Sequence, residues 1–102
     1  MEFSGFDWDV GNRTKCERHG VTIAEIEDLF RRPVRVAPDP AHSTHEERFK
    51  AIGRTEAGRF VFLVFTLRRR GRHTLLRPIS ARYMHAKEVR HHEEEASDAD
   101  DR

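Results

Sequence analysis

Cysteine is nearly absent from this sequence: Cys16 stands alone, so no internal disulfide can staple the fold, as befits a reducing compartment. Long apolar runs are missing too. The longest, FVFLVF from Phe60 to Phe65, is far shorter than the ~20 residues of a bilayer-crossing helix. The opening MEFSGFDWD carries neither a basic segment nor an apolar stretch of signal-peptide length. There is no phosphate-cradling glycine loop, because GRTEAGR at 53–59 lacks the Lys-Ser/Thr ending and the strand-to-helix setting. No repeat or interior linker interrupts the chain. These absences argue against a disulfide scaffold, a membrane span and a P-loop enzyme. The expectation is a single soluble, cytoplasmic domain over residues 1–92, with 93–102 as an acidic, disordered tail.

Charge is what the sequence has in quantity. Of 102 residues, 36% are charged and 36% hydrophobic, so the core is small and the surface heavily charged. The net charge of +1 conceals a strong segregation. From Arg48 to Arg90 there are twelve basic residues against two acids, Glu56 and Glu88, whereas EEEASDADDR at 93–102 holds six acids and one arginine. Sixteen of the nineteen basic residues are arginine, whose planar fork suits phosphate better than an ammonium does. Such a stretch points to a polyanion, nucleic acid first; a solvated arginine-rich surface without a ligand is the plainer reading. The acidic segment is either solvating charge or a strand that folds back and competes with RNA for the basic face.

Local signals divide the chain into elements. Asp9 is a good N-cap for a helix from about Val10 to His19, ended by Gly20. In VTIAEIEDLF, Thr22 and Glu25 form a capping box, Ile23, Ile26, Leu29 and Phe30 keep helical spacing, and Pro33 stops the helix. Beyond it the period becomes extended. PVRVAP is a short strand, DPAHSTHE a loop, and ERFKAIGRT alternates with Arg48, Lys50 and Ile52 on one side. RFVFLVFTL reads as a central strand buried on both faces, RRRGR as a turn and TLLRPISA as the last strand. From about Tyr83 helical spacing returns. A short first strand, two helices, an antiparallel meander of about four strands and a final helix make an α+β domain.

Several short motifs, taken in order, resemble the BrnT family of bacterial toxins within the RelE-like ribonucleases. They are FDWD at 6–9, HGV at 19–21, ER at 47–48 with IGRT at 52–55, and RPISAR at 77–82 followed by a basic helix. The resemblance covers roughly residues 3–92. It departs at the end, where RHHEEE stands in place of an acidic-aromatic tip with tyrosine. The resemblance implies a RelE-like fold: two N-terminal helices on a small antiparallel sheet, with a C-terminal helix. It also implies RNA cleavage that inhibits translation, without cofactor or metal. A ribbon-helix-helix antitoxin of the BrnA type would neutralise it, in a 2:2 complex that reaches operator DNA through the antitoxin.

Metal-free RNA cleavage needs a base for the 2′-hydroxyl, cations for the phosphate and an acid for the leaving oxygen. Arg48, Arg77 and Arg82 are the candidate phosphate ligands, and His85 and Glu47 the candidates for proton transfer. Lys50, Tyr83, Lys87 and Arg90 are candidate RNA contacts. Strict alternation puts Arg77 and Arg82 on opposite faces, so Arg82 joins the site only if the strand ends or bulges near Ser80. Arg82 serves equally well as an internal partner of Asp9 or Glu47. His19 fits a helix C-terminus, Tyr83 a core or rim position, Trp8 a core anchor and Cys16 a small buried thiol. His85, Glu88 and His92 share a helix face, but a single carboxylate and no cysteine make a poor zinc set. The rival reading is a non-catalytic RNA-binding or co-repressor module, in which the same arginines only position nucleic acid.

Overall fold

Each N-terminal helix begins where its sequence supplies a reciprocal cap. In the computed structural model, which describes residues 1–100, α1 spans Val10–Glu17 and α2 spans Ile23–Leu29. The Asn12 amide donates to Asp9 at 3.0 Å and the Asp9 amide donates to the Asn12 side chain at 2.7 Å. Thr22 and Glu25 form the same pair for α2, both bonds 3.0 Å. Each box satisfies two of the amides that a helix start leaves without partners. α1 stops two residues short of His19, and Gly20 turns the chain at φ +91°, a conformation that costs glycine nothing.

Five strands form one sheet in the order β1-β5-β4-β3-β2: β1 is Gly5–Phe6, β2 Arg35–Pro38, β3 Phe49–Arg54, β4 Phe60–Arg70 and β5 His73–Tyr83. The expected antiparallel meander accounts for β2 to β5. The purely antiparallel sheet needs correcting, because β1 runs parallel to β5, with Gly5 opposite Leu75 and Phe6 opposite Leu76. The expected short first strand is present, but two residues carry no signal of the direction in which they pair. The RRRGR turn is also shorter than expected. Arg68, Arg69 and Arg70 continue β4 opposite Leu75, Thr74 and His73, leaving Gly71 (φ +61°) and Arg72 as a two-residue hairpin loop.

The core lies between one face of the sheet and the two N-terminal helices. Cys16 and Val21 with Ile26 and Leu29 of α2 pack on Ala51, Val61, Leu63, Phe65, Leu76 and Ala81. Burying side chains such as Ile26, Leu29 or Phe65 contributes roughly 1.5–3 kcal/mol each. β1 covers only two residues of β5's edge, and α1 takes over beyond it. The buried Asn12 side chain donates to the Pro78 carbonyl at 2.8 Å and to the Asp7 carbonyl at 2.9 Å. An edge that would otherwise offer free carbonyls is closed.

The final helix, α3, spans Ala86–Asp100 and begins three residues later than Tyr83. The acidic segment expected as a tail continues it as helix to Asp100, and residues 101–102 lie outside the described residues.

Candidate nucleic-acid interface

One extra residue decides which arginines share a face. On β4, Val61, Leu63 and Phe65 are fully buried toward the helices, so Phe62, Val64, Thr66 and Arg68 point to the other, outer face. Pairing with β5 runs from Leu67–Leu76 to Phe65–Pro78, then jumps to Val64–Ser80 and leaves Ile79 unmatched. This bulge reverses the alternation of β5 beyond it. Arg77, opposite Thr66, and Arg82, opposite Phe62, therefore both reach the outer face. The guanidinium of Arg82 lies 5.0 Å over the Phe62 ring. On β3, Lys50 stands opposite Val64, which adds it to the same face.

Carboxylates hold two of these arginines. Arg77 donates to Asp9 at 2.8 Å and comes within 3.7 Å of Asp7, with its side chain only 19% exposed. Hydrogen bonding from the Asn12 amide, then from Arg77, keeps the Asp9 carboxyl below its ordinary pKa. Arg82 grips both oxygens of Glu88 at 2.8 Å. Neither Asp9 nor Glu47, the partners expected for Arg82, plays that part: Asp9 serves Arg77, and Glu47 is exposed. Arg48 and Lys50 form no ion pair among the described residues.

At one end of the outer face Arg48, Arg68, Arg77 and Lys15 line a shallow hollow of about 280 Å³. Arg68 pairs there with Glu46 at 3.3 Å. Lys15 and Arg68 escape the sequence reading, Arg68 because the arginine run looks like a turn. The signal for it was the two-residue Gly71-Arg72 loop, which lets both flanking strands run on.

α3 covers the other end of the face. Glu95 lies 3.8 Å from Arg35, the His92 ring meets Phe60 edge-on at 5.4 Å, and Lys50, Ile52 and Phe62 line a groove of about 470 Å³ beneath the helix. No residue of α3 with a described side chain is fully buried, and His92 Nδ1 is enclosed without a hydrogen-bond partner. Such a seat is weak, since an enclosed polar atom left unpaired carries a desolvation cost.

The remaining candidates are dispersed. Tyr83, one residue past Arg82 and opposite Val61, faces the helices, in the rim position that was the alternative to an RNA contact. Its hydroxyl donates to Glu25 at 2.6 Å, and the Arg59 guanidinium stacks 3.5 Å over its ring. The bond to Glu25 raises the phenol's pKa. His85 is exposed at the start of α3, where its amide donates to Glu88 at 3.0 Å. Lys87 and Arg90 are exposed on α3. Glu47 is exposed rather than desolvated, and its carbonyl accepts from Thr66 at 2.8 Å. His85, Glu88 and His92 form no metal cluster among the described residues, since Arg82 occupies both Glu88 oxygens. Cys16 is buried, which pushes its thiol up to about 11 and leaves it unreactive.

The molecule is thus an α+β fold with a basic outer sheet face. Residues 8–88 match a family described as the ribonuclease toxin, BrnT, of type II toxin–antitoxin systems. The class is therefore a ribonuclease toxin paired with a protein antitoxin. Within that class the chain belongs to the BrnT family, because the match spans most of its length. No individual curated protein matches it.

Proposed function

We propose that the chain is a metal-independent endoribonuclease of RelE-like arrangement that cuts RNA in the cytoplasm and so inhibits translation. The family match carries this reading, and the shared outer face of Arg77 and Arg82 supports it. RNA would lie along that face, with Arg48 and Lys50 taking phosphate oxygens directly. Lys15 and Arg68 extend the track. Arg77 and Arg82, braced by Asp9 and Glu88, present fixed positive charge where negative charge builds on the phosphorus. The 2′-oxygen attacks the adjacent phosphorus as its proton passes to a base, the P–O5′ bond breaks, and the 5′-oxygen leaves with a proton from an acid. A 2′,3′-cyclic phosphate and a 5′-hydroxyl result. Glu46, which lines the hollow, its neighbour in sequence Glu47, and His85 at the start of α3 are the candidates to move those protons, and Lys87 and Arg90 on α3 would lengthen the basic track. The antitoxin would be a small ribbon-helix-helix protein whose own dimer builds a 2:2 assembly and carries it to operator DNA.

The carboxylates already seated on Arg77 and Arg82 favour one second reading, a module that binds nucleic acid without cutting it. Incubating purified chain with RNA and mapping the new ends separates the two. Cyclic or 3′-phosphate ends formed in the presence of EDTA support cleavage by 2′-hydroxyl attack. Ends bearing a 3′-hydroxyl, or retained RNA binding with no product, overturn it.

A further inference from the structure

We propose that the hollow bounded by α2, the N-terminal segment and the β3–β4 turn is where a cationic, apolar-tipped segment of the protein antitoxin docks. This rests on the toxin reading only for the existence of that partner. The floor of the hollow is aromatic. Phe3 meets Phe6 and Phe30 edge to face, each at 5.4 Å, Phe6 and Phe30 lie tilted at 6.2 Å, and all three are partly exposed. Phe30 also packs at 6.0 Å on the fully buried Phe65, so the floor is anchored to the core.

The rim is acidic. Glu25, Glu27, Asp28 and Glu56 surround a space of about 930 Å³, with Arg31 the one basic residue among those lining it. Two of the acids are held in place by aromatic donors. Trp8 donates its indole N–H to Glu27 at 3.0 Å, and Tyr83 donates to Glu25 at 2.6 Å. Glu27 and Glu56 remain exposed.

Charge selects the occupant. Asp28 is paired with Arg31 and Arg32, which leaves Glu25, Glu27 and Glu56 as the charges that repel an RNA strand and the acidic end of α3 from a second copy. A segment bearing Lys or Arg beside an apolar side chain satisfies both features: the cations meet the rim and the apolar group covers the rings, whose faces also attract cations. The antitoxin would then grip the molecule from the acidic side.

The test uses exposed positions whose replacement leaves the core intact. Ala24→Arg, on α2, and the double variant Glu56→Lys/Ala57→Arg, in the turn, place positive charge on the rim. Calorimetric titration of the full chain with its cognate antitoxin is expected to show each variant bound at least about tenfold more weakly, the scale of losing an interface anchor. The deficit should shrink in high salt, while the melting temperature and RNA cleavage by the free variants stay as in the parent. Unchanged affinity in both variants overturns the proposal. So does a loss of affinity confined to Lys50→Glu, which puts the antitoxin on the basic face, or self-association of the parent that these variants abolish, which makes a second copy's arginine hairpin the occupant. If the parent cleaves no RNA but the variants still lose the antitoxin, the nuclease reading fails and the docking assignment stands.

Discussion

Arg82 and Glu88 form a two-pronged pair, both prongs 2.8 Å, that ties the end of β5 to the first turn of α3. Glu88 also accepts the His85 amide at 3.0 Å, so one carboxylate caps the helix and anchors it to the sheet. The Arg82 hydrogen bonds, with help from His85, hold the Glu88 carboxyl at about 2, against an ordinary value of 4.5. A depressed folded pKa stabilises above the unfolded value and loses that stabilisation as pH falls toward the folded one. The melting temperature should therefore decline as acid is added between about pH 5 and pH 2. Glu88→Gln should start lower at neutral pH and decline less steeply across that window. Equal slopes in parent and variant would show that the pair contributes nothing to folding.

Among the described residues Arg48 and Lys50 form no ion pair with a carboxylate, so their replacement tests function with little risk to the fold. Arg48→Ala and Lys50→Ala should each lower the rate of RNA cleavage by about 10²–10³-fold, the range for losing one group aimed at developing charge. Melting temperatures should move by a degree or two only. Growth arrest on induction should weaken in parallel, and antitoxin binding should persist. Full cleavage activity in both variants would remove them from the reacting phosphate.

Asn12 is a structural keystone that carries no charge. Its side chain completes the α1 capping box and supplies two carbonyls, at Asp7 and Pro78, from a site only 6% exposed. Asn12→Ala leaves those carbonyls and the Asp9 amide without partners, and should cost about 2–4 kcal/mol in a denaturant melt. A loss below about 0.5 kcal/mol would mean that water replaces the side chain.

The acidic stretch of α3 sets a further expectation. Glu95 faces Arg35, and the helix roofs Lys50 and Phe62. Deleting residues 93–102 should tighten RNA binding at low salt, with the two forms converging as salt rises and screens the competition. Identical affinities at low salt would show that the segment does not shield the face.

Local chemistry was legible in the sequence, and long-range chemistry was not. Asp9, Thr22, Glu25 and Gly20 announce the helix ends because caps act within a few residues, and FVFLVF announces a buried strand by composition alone. The parallel pairing of β1 is decided by a partner some seventy residues away and leaves no period in two residues. The candidate site was readable as a set of residue types but not as a set of pairs. Nothing near Arg77 in sequence singles out Asp9, and Arg82 has Glu88 six residues on where Asp9 or Glu47 looked as apt. Strict alternation from Arg77 sets Arg82 on the opposite face, and it fails at Ile79, the unmatched residue that brings Arg82 to Arg77's side.

Ile79 has a consequence larger than its own contacts. It is an uncounted beat in a two-beat pattern, since the pairing steps from Pro78 straight to Ser80 against Phe65 and Val64. Delete it and Ser80 would follow Pro78 directly, so the strand would run without its kink and Ala81 and Arg82 would keep their sides. Flatten the kink with Ile79 in place, so that it takes its own turn opposite Val64, and every residue beyond would swap sides, Arg82 toward the oily interior and Ala81 out into water. For a chain of this kind, which charges can act together depends on one residue being left out of the count.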